Sequence, residues 1–336
     1  MHIRLGYDTY SLRGWHWNAM QHLDFAEKQG LDAIQFSGTE DFGDTSPAAL
    51  AKVKARTAEL GIRLDAGVGC VCELSKSWKP SAGSPAKVLE DGLDIARHAG
   101  ATVVRCFMGS QRDRFGDKPL EQLMEVTIRN FKAVRSKALD LGIKIAIENH
   151  KDLQAWQARQ MIEEAGKDFV GANLDLGNPT YVMEDPMTTL EVLGPYAITT
   201  HVRDTCVYEV PEGVAVQWTA LGDGSVNFKA IVAKYPQLCP DSSFHLEIIT
   251  GRPPELLPYL DASYWKTYRG MTASSFAAFI ALAKTGRPFS GRMVIEDAEG
   301  QAPAPQFREA LVYQQRFDLE RSFKYAKEVL GIGKPA

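Results

Sequence analysis

The sequence predicts a (β/α)8 TIM barrel with an extra C-terminal helix. Eight short apolar runs alternate, for the most part, with amphipathic stretches, the rhythm of a parallel sheet wrapped in helices. An amphipathic stretch ending in glycine before an apolar run recurs at Gly30, Gly61, Gly100, Gly142 and Gly166. The turn after the first run, "GYDTYSLRG", lacks the glycine-rich phosphate fingerprint of an open doubly wound sheet.

The strands are expected at Ile3–Tyr7, Ala33–Phe36, Arg63–Val68, Thr102–Phe107, Lys144–Glu148, Gly171–Leu176, Ile198–Val202 and Phe244–Ile248. Their near-continuous apolar character fits strands buried on both faces. Glycine ends the preceding helices because it adopts left-handed backbone at little steric cost. Between strands, Ala49, Leu50, Val53 and Leu60 mark one helix face. Leu120, Leu123, Met124, Ile128, Phe131, Val134 and Leu141 mark another, at mostly three- to four-residue spacing.

Two regions depart from the repeat. Residues 251–270, "GRPPELLPYLDASYWKTYRG", are rich in proline and aromatics and can cover a site. The stretch "EDAEGQAPAPQ" reads as a linker to a last helix that packs on the outer ring or on a partner. The expected division is a catalytic barrel over 1–290, then linker and helical extension over 291–336.

Composition narrows the class. The 336 residues carry a formal charge of −4, with 45% apolar and 24% charged residues. A globular chain of this length builds its own core, and nothing basic offers a footing for a nucleic-acid backbone. Cys70, Cys72, Cys106, Cys206 and Cys239 are scattered and odd in number, which reads as reduced thiols in the cytoplasm. No stretch has transmembrane length and the N-terminus has no signal-peptide core.

The chemistry gathers at the strand ends. Residues two apart on a strand share a face. Four successive strands end in polar pairs at that spacing: Glu148 with His150, Asn173 with Asp175, His201 with Arg203, His245 with Glu247. Barrel chemistry sits at the carboxyl ends of strands. Converging Glu148, Asp175 and Glu247 would repel one another unless a cation joined them. Three carboxylates and His201 suit a hard divalent ion, Mn2+ first, with Mg2+ or Co2+ as alternatives.

These residues carry a resemblance. "IAIENH", "ANLDLGNP", "EDPMTTLEVLGPYAITTHVRD", "LGDGSVNF" and "FHLEIITG" resemble the xylose-isomerase-like barrel superfamily of sugar phosphate isomerases and epimerases. In that family a Glu, an Asp, a His and a Glu on strands five to eight hold one divalent metal, and they match Glu148, Asp175, His201 and Glu247. The resemblance implies that the two Glu residues also move protons on a keto-sugar. The "ENH" form is locally similar to the α-subunits of C-glycoside deglycosidases, which implies His150 as an alternative base. It also allows a homo-oligomer or a complex with a smaller subunit.

The implied activity is a metal-dependent sugar isomerase or epimerase acting through an enediolate, on a sugar or keto-sugar. Loss of a β-substituent from the same intermediate gives the alternative, a lyase on a 3-oxo-glycoside or a keto-inositol dehydratase. A non-catalytic partner subunit is a second alternative. His245, Arg203 and Asn173 are expected to bind substrate. Trp15, Trp17, Trp156 and Trp265 are candidate walls, with Trp17, just after the first strand, placed in the site. A nuclease on this fold would need more metal ligands than three strand-end histidines of seven supply.

Overall fold

The computed structural model describes residues 2–296 and 304–334; residues 297–303 of the expected linker lie outside them. The strands in chain order are β1 (Leu5–Asp8), β2 (Ala33–Gln35), β3 (Arg63–Cys70), β4 (Val103–Phe107), β5 (Lys144–Glu148), β6 (Val170–Asp175) and β7 (Ala197–His201). They continue with β8 (Asp204–Val210), β9 (Gly213–Thr219), β10 (Phe244–Leu246) and β11 (Glu255–Leu257). Eight of them form one parallel sheet in the order β10-β1-β2-β3-β4-β5-β6-β7. A bridge from Val202 to Leu246 joins its two ends and closes the barrel. Each barrel strand lies within two residues of its expected limits.

All five glycines of the repeat take positive φ. Gly61 shows why: at φ 63° it caps helix Pro47–Leu60 and turns the chain into β3. The long amphipathic stretch from Leu120 is two helices, Leu120–Ala133 and Arg135–Leu141. Val134 leaves helical geometry between them, at φ −106° and ψ 8°.

The interior of the barrel is unusual. Layers of branched apolar side chains ordinarily fill such a barrel. Here Gln35 on β2 reaches across to Asn173 on β6 and Thr199 on β7, four and three strands away around the closed ring. Thr199 meets His245 Nδ1 at 3.2 Å. All four residues are wholly buried, so a polar column runs beneath the carboxyl ends of the strands. The apolar core lies between sheet and helices.

An antiparallel sheet, β11-β9-β8, interrupts the barrel between β7 and β10 and again after β10. A tight turn at Pro211-Glu212 joins β8 to β9. Val207, Val214, Val216 and Leu257 of this sheet pack with Phe279 and Ala283 of helix Ala273–Thr285, a second apolar cluster. The proline-rich stretch over 251–270 supplies β11 and packs Tyr268 into that cluster.

Helix Pro305–Glu328 packs on the turn after β1. Gly14 N–H donates to Gln315 Oε1 at 3.0 Å, and Trp15 Nε1–H donates to the Val312 carbonyl at 3.0 Å. Phe323 reaches Tyr7 with ring centroids 6.1 Å apart. Among the described residues, no helix is long and apolar enough to cross a membrane. The five cysteines are buried and unpaired.

Candidate metal centre and its pocket

Glu148 ends β5, Asp175 ends β6, His201 ends β7, and Glu247 follows β10. Neighbouring strand tips in a closed barrel point into one space. Each residue offers one ligand atom there, and the four atoms lie within 4.8 Å of one another. His201 Nδ1 stands 3.4 Å from Glu148 Oε1, 3.3 Å from Glu247 Oε2 and 3.9 Å from Asp175 Oδ2.

The local chain is built to hold this arrangement. Asn149 braces two tips: its Nδ2 donates to the Asp175 carbonyl at 2.9 Å, and its Oδ1 accepts from Asp175 N–H at 2.8 Å. Asp175 Oδ1 accepts from the N–H groups of Gly177 and Asn178 at 2.7 and 2.6 Å. That leaves Oδ2 to face the centre. Asn178 Nδ2 donates to Glu148 Oε1 at 3.0 Å.

Two buried arginines balance the carboxylates. Arg105 Nε donates to Glu148 Oε2 at 2.7 Å. Arg203 pairs with Asp175 Oδ2 at 2.8 Å and with Glu247, and donates to Asn178 Oδ1 at 2.7 Å. Burial raises the Glu148 carboxyl, but Arg105 and His201 overturn it and hold the group well below the usual range. The same contest, decided by His201 and Arg203, brings Glu247 down to about 2. At Asp175 burial prevails over Arg203 and pushes the carboxyl up to about 7. Burial disfavours the His201 cation, yet Glu247, Glu148 and Asp8 together lift it well above an ordinary histidine.

The donor set fits a divalent ion. His201 Nδ1 is buried and makes no hydrogen bond, and Asp175 Oδ2 has only its ion pair with Arg203. Buried polar atoms are seldom left so, and a hard cation at the common point would satisfy both.

A cavity of about 1140 Å3 opens above the centre, lined by Glu247, Arg105, His150 and Lys151 and walled by Trp17, Trp78, Phe107, Tyr181 and Trp218. β5 stops at Glu148, so His150 stands on the wall rather than beside Glu148 on the floor. Its ring packs on Phe107, and Nδ1 lies 2.7 Å from the Gly109 carbonyl. A carbonyl only accepts, so Nδ1 carries the proton and Nε2 is left as the basic nitrogen. Burial lowers the His150 pKa below its ordinary value, with Glu148 opposing.

The other expected residues are placed as follows. Asn173 and His245 are fully buried in the polar column and do not line the cavity. Arg203 is 1% exposed, bound to Asp175 and Glu247 rather than to its neighbour Asp204. Asp204 is instead wrapped by "LGDGSVNF", accepting from Gly222 N–H at 3.0 Å and Val226 N–H at 3.2 Å. That loop therefore encloses a carboxylate of its own chain. Of the four tryptophans considered from sequence, Trp17 lines the cavity, while Trp15, Trp156 and Trp265 do not.

Sequence reading missed Asp8, Gln35, Arg105, Lys151, Trp78 and Trp218. Arg105 had a signal, a lone charge inside the apolar run "TVVRCF". Trp218 had one in the alternation "VAVQW". Lys151 extends from the end of β5 over the rings of Tyr181 and Trp218, at 4.1 and 4.8 Å, and pairs with Glu255 at 2.5 Å.

Known proteins share this architecture. A D-psicose 3-epimerase determined in the presence of D-fructose superposes with a TM-score of 0.61 at 16% identity, over 98% of this chain and all of that one. A xylose isomerase-like TIM barrel protein from Mycobacterium smegmatis in complex with magnesium gives 0.57 at 15% identity, over 83% of this chain and 97% of that one. At such identities the likeness is one of fold. The uncharacterized protein YihM of Escherichia coli (strain K12) is 23% identical over 211 residues, 63% of this chain. The match spans 56% of that protein's length. The profile of the xylose isomerase-like TIM barrel family matches residues 23–255, a span that contains Glu148, Asp175, His201 and Glu247. The chain belongs to the xylose isomerase-like TIM barrel family.

Proposed function

We propose that the protein is a divalent-metal-dependent sugar isomerase or epimerase that removes a proton next to a carbonyl. One observation carries the reading: His201 Nδ1, buried without a hydrogen-bond partner, shares a focus with Glu148, Asp175 and Glu247, under a cavity large enough for a sugar. Glu148, Asp175, His201 and Glu247 would hold the ion. Mn2+, with Mg2+ and Co2+ as the next choices, would polarise the substrate carbonyl and stabilise the developing enediolate.

The chain's own residues do the rest. Glu148 and Glu247 enter the centre from different strands and serve as the proton-moving pair. Arg105 and Arg203 keep each carboxylate in place through charge-assisted bonds. Trp17, Trp78 and Trp218 exclude water and give apolar faces to a ring. Asn173 and His245 act from beneath, by shaping the floor.

His150 supports a second reading. Its Nε2 is a free base on the cavity wall, which suits a lyase that eliminates a β-substituent after the same first step. One experiment separates the outcomes. Protein stripped with EDTA and reloaded with manganese is incubated in D2O with keto-sugars and 3-oxo-glycosides. NMR then reads which carbon gains deuterium and whether a leaving group appears. Metal-dependent exchange without release is the expected result, and His150→Ala should keep substantial turnover. Exchange at full rate in EDTA sinks the metal reading. Release of a leaving group, with collapse in His150→Ala, replaces the isomerase by the lyase.

A further inference from the structure

We propose that Gln35 is the positioning residue that presents His201 to the ion, an inference that rests on the metal reading of the four-residue centre. Gln35 ends β2, on another part of the ring from β7, and its side chain reaches across the barrel interior. Gln35 Oε1 is hydrogen-bonded to His201 Nε2. The far end of the amide is fixed, because Nε2 donates to Thr199 Oγ1 at 2.8 Å and to Asn173 Oδ1 at 3.3 Å. Gln35, Asn173, Thr199 and His201 are 0% exposed, so water does not compete for these bonds.

Amide ends look alike, so the direction needs a second observation. Asp8 provides it. Its Oδ2, which makes no hydrogen bond of its own, lies 3.3 Å from His201 Nε2. An ion held at Nδ1 would leave the ring's one proton on Nε2, where this carboxylate oxygen and the Gln35 amide can both accept it. Gln35 must then turn its oxygen toward His201 and its NH2 toward Thr199 and Asn173. With the Nε2 proton held by these acceptors, Nδ1, the atom that faces Glu148, Asp175 and Glu247, is the nitrogen that would give up its proton to an ion. The amide thus sets both tautomer and ring angle. Partners of this kind behind a ligating histidine typically change metal affinity about 10- to 100-fold.

The test is Mn2+ affinity, measured by calorimetry on full-length wild type, Gln35→Met and Thr199→Val, with folding checked by circular dichroism. Gln35→Met keeps the volume and loses the acceptor, so the dissociation constant should rise about 10-fold or more. Thr199→Val leaves the acceptor but frees the amide, so a smaller rise is expected. A merely structural role would lower the melting temperature and leave the affinity of the folded protein unchanged; that result overturns the inference. Should Gln35→Met not fold, Thr199→Val decides: weaker binding upholds the role, and unaltered binding overturns it. Wild type that binds no Mn2+ at all defeats the metal reading instead, so the two failures are told apart.

Discussion

Glu148 has no spare oxygen. Arg105 takes Oε2, and Asn178 and the centre share Oε1. Glu148→Gln keeps the shape and removes the charge. It leaves the Arg105 guanidinium buried with its nearest counter-charge gone, a change that typically costs about 3–5 kcal/mol when a buried pair is broken. On the proposed reading it also removes one metal ligand and one proton carrier. Turnover on a true substrate should fall by about 10²-fold or more, and Mn2+ binding should weaken in the same titration. Wild-type turnover in Glu148→Gln would falsify the role given to the centre. At this scale the sequence was informative where a residue answers to its own strand. Glu148, Asp175, His201 and Glu247 are legible because each is the polar end of an apolar run. Gln35 and Asp8 were not, because their partner stands on another strand, and a single run of sequence does not say which side chains meet across a barrel.

The β8–β9 hairpin is the element that most changes the site. The run "VYEVPEGVAVQW" alternates as a half-buried antiparallel ribbon does, with Pro-Glu-Gly at the turn. The helix-then-strand rhythm around it favours a parallel reading, which is why only the parallel strands were foreseen. Gly213 is required at that turn: it sits at φ 154°, and a Cβ there would lie 2.2 Å from the Leu257 carbonyl oxygen. The hairpin carries Trp218 to the cavity wall. Trp218→Ala removes an aromatic face without touching a metal ligand. KM should rise about tenfold, the scale of about 1.4 kcal/mol for one aromatic contact and its burial, while Mn2+ affinity stays at the wild-type value. Unchanged KM, measured by initial rates, would show that the substrate does not reach the hairpin.

At the scale of the molecule, the C-terminal helix is part of the structure that holds the site. Leu311, Leu319, Phe323, Ala326 and Ile332 are buried against the barrel and its first turn. At about 1.5–3 kcal/mol for each large apolar side chain, their burial is on the order of 10 kcal/mol. That is comparable with the roughly 5–15 kcal/mol by which a domain is stable. A chain ending at residue 296 should therefore fail to give a cooperative melt, or melt more than about 10 °C lower by calorimetry. A truncated protein melting within about 3 °C of the full chain would show the helix to be an accessory. The barrel itself was readable because its period, glycine-capped helix then apolar run, is written in local sequence. The second apolar cluster, built from the hairpin, β11 and helix Ala273–Thr285, was not, since it joins segments some seventy residues apart.

Trp218 has two cations over its ring, Lys151 Nζ at 4.8 Å and Arg203 Cζ at 4.5 Å. An indole's excited state is sensitive to charge that close. Whatever enters the cavity and shifts either neighbour will therefore alter the colour or intensity of its emission. The protein carries its own optical reporter of occupancy, and ligands can be screened against it by fluorescence before any turnover is known.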